Sequence, residues 1–138
     1  MKENTETIGI KVIKNYIKAF NERNSDKMAD LFNFPHVRFA NDSVSVISRS
    51  EYLNNQDKVT RLLQEENWHH TEIIDIQNIQ SNETKGHFII HFLRLDKENN
   101  VIHDFKTLWI VTKVNKHWGV QFRSSFLTSK AATFGKKM

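Results

Sequence analysis

The sequence predicts an α+β fold in which two or three N-terminal helices lie against one face of a curved antiparallel sheet. Three observations predict it. Apolar residues recur at three- and four-residue spacing from Ile8 to Phe20 and again from Tyr52 to Leu63, the pattern of amphipathic helices. From Trp68 onward the period changes to two, the period of strands whose side chains alternate between faces. The stretch Val101 to Phe126, VIHDFKTLWIVTKVNKHWGVQFRSSF, then places two runs rich in β-branched and aromatic residues on either side of Asn115 and Lys116. That composition suits two long strands joined by a tight hairpin. Helices come first and most strands afterwards, so the two kinds of element are expected to segregate into layers.

Taken in order, Ile8, Val12, Ile13, Tyr16, Ile17 and Phe20 form one stripe of a first helix from about Thr7 to Arg23. Asn24 and Ser25 interrupt it, and Ser25 is the expected N-cap of a short second helix that buries Met28, Leu31 and Phe32. Pro35 blocks further helix. His36 to Ala40 and Val44 to Ile47 read as a small hairpin around the turn-prone Asn41, Asp42 and Ser43. Ser48 and Glu51 stand at capping-box spacing and start a third helix, which the polar run Gln64 to Asn67 ends. Trp68 to Gln80, Gly86 to Leu95 and the closing hairpin then supply four long strands, separated by polar turns.

Composition bounds the function classes. A chain of 138 residues is expected to be one domain, with its core at about 5–127 and a basic tail over 128–138. It has ten Phe, three Trp and only four Gly and one Pro, which excludes a low-complexity or disordered chain. No apolar run approaches the ~20 residues of a membrane span, so no membrane partner is expected. The opening MKENTET carries no secretory signal and there is no Cys, so the expected compartment is the cytoplasm. The net charge of +4 raises the question of nucleic acid, but the basic residues are scattered rather than clustered, and no nucleic-acid partner is expected.

The segment NYIKAFNERNSDKMADLF, Asn15 to Phe32, resembles the opening of the SnoaL-like, or nuclear-transport-factor-2-like, superfamily, and WGVQFRSSF, Trp118 to Phe126, resembles its closing strand. The resemblance implies a cone-shaped sheet wrapped around the helices, the cystatin-like or SnoaL-like roll, with a cavity lined mainly by apolar side chains. PHVRF, WHH and WGVQFRSS are most similar to an uncharacterised bacterial branch. In the superfamily's steroid isomerases a tyrosine donates to an oxyanion, and that position falls at Tyr16. Their general-base aspartate falls near Ala40 and their protonated aspartate near Leu108 or Trp109, none of which ionises. That chemistry is not implied here.

The same resemblance suggests which residues face the cavity. His36, Arg38 and Ala40 are expected inward, with Trp68, His70, Glu72 and Ile74; His87, Ile89, His91 and Leu93; His103, Phe105, Thr107 and Trp109; and Trp118, Val120, Phe122, Ser124 and Phe126. The candidate ligand-binding set is therefore Tyr16, His36, Arg38, His70, Glu72, His91, His103 and Trp109. Tyr16, Asp42 and His91 are the candidate catalytic residues, Asp42 by way of a bulge. Arg38 is the sharpest of these: a buried guanidinium is costly unless paired, so an inward Arg38 implies either Glu72 or an anionic ligand, whereas with Val37 and Phe39 inward it is merely solvated. No metal site is expected, since His87 and His91 are about 13 Å apart along a strand and His69 and His70 point to opposite faces. No cofactor motif is present.

Phe88, Ile90 and Phe92, with Ile102, Leu108 and Ile110, are expected on the outer face, where they would form a homodimer with Arg94 and Arg123 at its polar rim. Three functional readings follow. The first is a binding domain for a small, partly apolar molecule, with Arg38 admitting an anionic end. The second is a cofactor-free isomerase, dehydratase or hydrolase using a cavity His or Asp42 with Tyr16. The third is a dimeric interaction domain whose cavity is filled.

Overall fold

The structure, a computed structural model, describes residues 3–128 and the backbone of Lys136–Lys137. Three helices and a curved sheet appear in the expected order. Helix α1 runs Thr5–Asn21, begun by the Asn4 side chain accepting from the Thr7 amide. Helix α2 is Ser25–Asp30, and here Asn24, not Ser25, is the N-cap: its side chain accepts from the Lys27 amide. Helix α3 is Arg49–Glu65 and starts at the expected capping box, Ser48 Oγ accepting from Glu51 N and Glu51 Oε1 accepting from Ser48 N.

The strands are β1 Phe32–Ala40, β2 Ser43–Ile47, β3 His70–Ser81, β4 Lys85–Leu95, β5 Val101–Val114, β6 His117–Ser125 and the two-residue β7 Lys136–Lys137. They form one sheet in the order β3-β4-β5-β6-β1-β2-β7. The hairpin between β5 and β6 turns at Asn115 and Lys116, both with positive φ (49° and 68°), the conformation a two-residue hairpin demands. The first strand begins at Phe32 rather than His36 and runs through Pro35, which is exposed and follows a cis peptide. Its pairing with β6 is parallel and irregular between Phe32 and Val37. Of the expected basic tail, 129–135 and 138 lie outside the described residues, while Lys136–Lys137 pairs with β2.

The core lies between α1 and the inner face of the sheet. Val12, Ile13, Tyr16 and Ile17 of α1 meet Phe88, Ile90, Phe92, Trp109, Val111 and Val120, and all are buried. Gly9 allows this approach: a Cβ there would clash with the Phe88 ring. Phe88, Ile90 and Phe92 are therefore core residues and do not form the outer face expected of them. β4 carries apolar residues on both faces, and the set with the two large aromatic rings takes the side covered by α1.

Inward and outward sets differ from expectation in two further strands. In β3 the inward residues are Thr71, Ile73 and Ile76, because Asn21 at the end of α1 clamps Thr71, accepting from its amide and donating to its carbonyl. Irregularities at Ile73/Asp75 and Asn78/Gln80 then shift the alternation again. In β6, Ile110 lies opposite Phe122 but Val111 lies opposite Val120, so Gln121 is an extra residue. This bulge keeps Val120 inward and reverses the rest of the strand, turning Arg123 and Ser125 inward and Phe122 outward. Phe126, expected to close the cone, is 88% exposed. No helix among the described residues is long and apolar enough to cross a membrane.

Candidate functional site

Three arginines converge on the cavity that opens between α1 and the sheet. Arg38 comes from β1, Arg94 from β4 and Arg123 from β6, and each is less than a tenth exposed. Tyr16 and Phe20 of α1 close one side; Phe92, Phe105 and Trp109 form the apolar wall. Thr71 and Thr107 complete the polar lining, and the cavity measures about 40 Å³. That is room for a few water-sized groups. Two larger hollows are built otherwise. One of about 730 Å³ is lined by the start of the chain and the turn from Ser81 to Thr84, and one of about 330 Å³ by Asp104 to Lys106 and Phe126 to Thr128. Neither gathers buried ionisable groups.

The arginines are held in different ways. Arg123 and Arg38 are direct register partners on the parallel strands β6 and β1, and Trp109 is the register partner of Arg123 on β5. Two like charges thus sit side by side on the buried face. Arg123 Nε donates to His36 Nε2 at 2.9 Å, and its guanidinium lies 4.9 Å from the Phe32 ring centroid and 5.9 Å from those of Tyr16 and Trp109. The aromatic rings thus supply cation–π partners in place of a carboxylate. Arg38 donates to Ser125 Oγ at 3.4 Å, a long contact. Burial, and then the neighbouring charges of Arg123 and Arg94, push its guanidinium well below the usual arginine range. Arg94 has Glu66 beside it, Nη1 to Oε1 3.9 Å, and burial lowers its pKa to about 10.

His36 is fully buried and stacked on Phe32 at 4.1 Å. Its Nδ1–H donates to the Val120 carbonyl at 3.3 Å, which leaves Nε2 to accept from Arg123 and fixes the tautomer. Burial, followed by the charge of Arg123, holds it well below the ordinary histidine value, so it is neutral at pH 7. Its role is to orient Arg123. The Tyr16 and Tyr52 hydroxyls lie 2.6 Å apart in the core, and Tyr52 donates to Met28 Sδ. The Tyr16 hydroxyl is thus engaged with Tyr52 in the core. Thr107 donates to the Ser124 carbonyl and accepts from the Trp109 indole, whereas Thr71 accepts from Trp68 and keeps its own O–H for donation.

The expected site residues therefore separate. Tyr16, Arg38 and Trp109 line the cavity, and His36 stands directly behind it. His103 is at the margin, its Nε2 3.1 Å from the Glu66 carboxylate that also faces Arg94. His70, Glu72 and His91 are not lining residues. His70 contacts His69 and the exposed Glu72, because the Asn21 clamp puts their strand in the opposite phase. His91 lies on the outer face, where it meets Asp104 at 2.6 Å. Asp42 is exposed in the turn between β1 and β2, with no bulge carrying it inward. Arg94 and Arg123, expected at an outer rim, point inward instead and are the site residues that alternation alone misplaces. One signal was present for Arg94: it continues the alternate series Phe88, Ile90, Phe92 on the aromatic face of its strand.

The polar groups of the cavity are nearly all donors. No carboxylate or imidazole is among its lining residues, so neither expected base, Asp42 nor His91, can reach a substrate held there. Such a site can neutralise and hydrogen-bond an anion. Glu72, the protein partner considered for Arg38, is excluded by its exposure. Among the described residues no group of three His, Cys, Asp or Glu is placed to hold a metal.

A family model described as NTF2-like protein (DUF6841) matches residues 7–122. A protein of unknown function with a cystatin-like fold from Nostoc punctiforme superposes with a TM-score of 0.72 at 10% identity, over 94% of this chain and 97% of that one. An NTF2-like protein with a cystatin-like fold from Novosphingobium aromaticivorans gives 0.68 at 12% identity, over 88% and 82%. An NTF2-like protein of unknown function from Shewanella oneidensis gives 0.63 at 12%, over 85% and 94%. At these identities the likeness is one of fold. A search of curated proteins finds no match.

Proposed function

The chain belongs to the NTF2-like family DUF6841, and from that premise we propose that it binds a small anionic molecule in the cone cavity, with the charged end between Arg38 and Arg123 and the apolar part against Phe20, Phe105 and Trp109. One observation carries the reading: two buried arginines are register partners on neighbouring strands, and no carboxylate lines the cavity they share. Like charges directly opposite one another on a sheet are destabilising, more so out of water. An anion reverses the sign of that interaction. Binding, rather than acid–base catalysis, is favoured because the lining offers donors and no base. The test is a thermal-shift panel of organic acids and organic phosphates on the full chain, repeated on Arg38→Met. Stabilisation of the wild type that disappears in the variant is expected; a panel with no stabilising anion would sink the proposal.

The second part of the proposal is a homodimer through the outer face of β4, β5 and β6. Leu108 and Ile110 remain its expected centre, and Ile89 and Phe122, their register partners, replace the buried Phe88, Ile90 and Phe92. Asp104 and Lys106 continue the same row of β5 with opposite charges, so a second copy related by a two-fold axis meets its own complement. Light scattering on the wild type should give twice the chain mass, and Ile110→Lys should give a folded monomer. A monomeric wild type at tens of micromolar refutes this part. We further propose a cytoplasmic protein, a reading supported by a chain without cysteine.

A further inference from the structure

The charges around the cavity narrow the class of anion, an inference that rests on the binding reading above. Arg94 faces Glu66, so that pair is close to neutral. His36 is neutral and engaged on both nitrogens. Tyr16 and Tyr52 are uncharged phenols bonded to each other. Arg38 and Arg123 remain, two positive charges side by side, and among the described residues neither forms an ion pair with a carboxylate. A single carboxylate would leave one of them uncompensated at a buried site, where an unbalanced charge is most costly.

We propose that the cavity takes a compact dianionic group in preference to a monoanion. Two further features agree. The free valences that face the cavity are N–H groups of Arg38 and Arg123 and the O–H of Thr71, donors arranged for a group with several acceptor oxygens. The volume of about 40 Å³ suits a head group of phosphate or sulfate size, with any apolar remainder passing Phe20 and Phe105.

The experiment is isothermal titration of the full chain at constant ionic strength with inorganic phosphate, sulfate, succinate and acetate. Phosphate is measured at about pH 8, where it is largely a dianion, and at about pH 5, where it is a monoanion. Sulfate stays a dianion at both, so its affinity reports any change in the protein itself, including at the Glu66–Arg94 and Glu66–His103 contacts beside the cavity. Phosphate at pH 8 and sulfate are expected to bind at least 10-fold tighter than acetate, and phosphate to weaken 10-fold or more at pH 5 while sulfate does not. Succinate separates one centre carrying both charges from two carboxylates. Acetate binding as tightly as sulfate, or phosphate and sulfate falling in parallel at pH 5, overturns the dianion and leaves the anion site standing. No binding of any of the four overturns both. Retention of phosphate binding by Arg38→Met, with an unchanged circular dichroism spectrum, moves the site elsewhere and also overturns the proposal.

Discussion

Replacing Arg38 by Met should make the ligand-free protein more stable while removing its ability to be stabilised by anions. Neighbouring strands lie ~4.8 Å apart, and two unit charges at that spacing in an effective dielectric of about 20 repel by roughly 3.5 kcal/mol. Any guanidinium separation greater than the strand spacing lowers that figure in proportion. Arg38 gives up one long hydrogen bond to Ser125 on substitution, and methionine refills most of the volume its stem occupied. Buried ion pairs and triads replaced by apolar groups of similar volume have stabilised proteins by up to about 1–4 kcal/mol, and relief of an unpaired like-charge contact is expected to gain about 1–3 kcal/mol here. For a domain of this size that corresponds to a rise in Tm of roughly 4–12 °C. Thermal unfolding followed by circular dichroism, in low-salt buffer and again with phosphate, reads both halves. A variant that melts below the wild type and still gains from phosphate contradicts the reasoning, because Arg38 would then be a structural cation with a partner inside the protein.

Three other outcomes follow from the packing. Because burial holds His36 neutral while the unfolded histidine takes up a proton below about pH 6.5, the unfolded state binds more protons there. Its contribution to stability is present above that pH and is lost as pH falls, by up to ~1.4 kcal/mol per unit. Urea titrations at pH 7.5, 6.5 and 5.5 should show the decline, flattened in His36→Gln; an equal slope in the variant assigns the effect to other groups. Tyr16→Phe removes the 2.6 Å bond to Tyr52 from the core and should cost about 1–2 kcal/mol in urea unfolding, whereas a change near zero would mean that Tyr52 is satisfied without it. Gly119→Ala would put a Cβ 2.6 Å from the Phe32 carbonyl carbon and 2.8 Å from the Asn33 nitrogen. Backbone cannot rotate aside, so a loss of about 2 kcal/mol or more is expected, and a neutral variant would show that β6 moves away from β1 easily.

The elements themselves were legible in the sequence because local physics sets them. The spacing of Ile8 to Phe20, the Ser48–Glu51 box and the Asn115–Lys116 turn each depend on residues within a few positions of one another, and each appears where it was expected. The inward-facing Arg38 was legible for the same reason, since β1 alternates without interruption from His36 to Ala40. Arg123 was not. Its direction depends on one extra residue, Gln121, and a bulge reverses every later side chain without leaving a mark in composition.

Arg94 and the phase of β4 were hidden differently, by a strand with apolar residues on both faces whose choice is made by what α1 lays against it. His70 and Glu72 failed through the Asn21 clamp on Thr71, a contact between residues fifty apart. The sequence by itself determined an α+β chain of amphipathic helices and twisted strands, and the alternation that turns Arg38 toward the core. Only the tertiary structure decided that three arginines share the cavity and that the expected bases lie outside it, because facing is fixed by register, bulges and packing between elements distant in the chain.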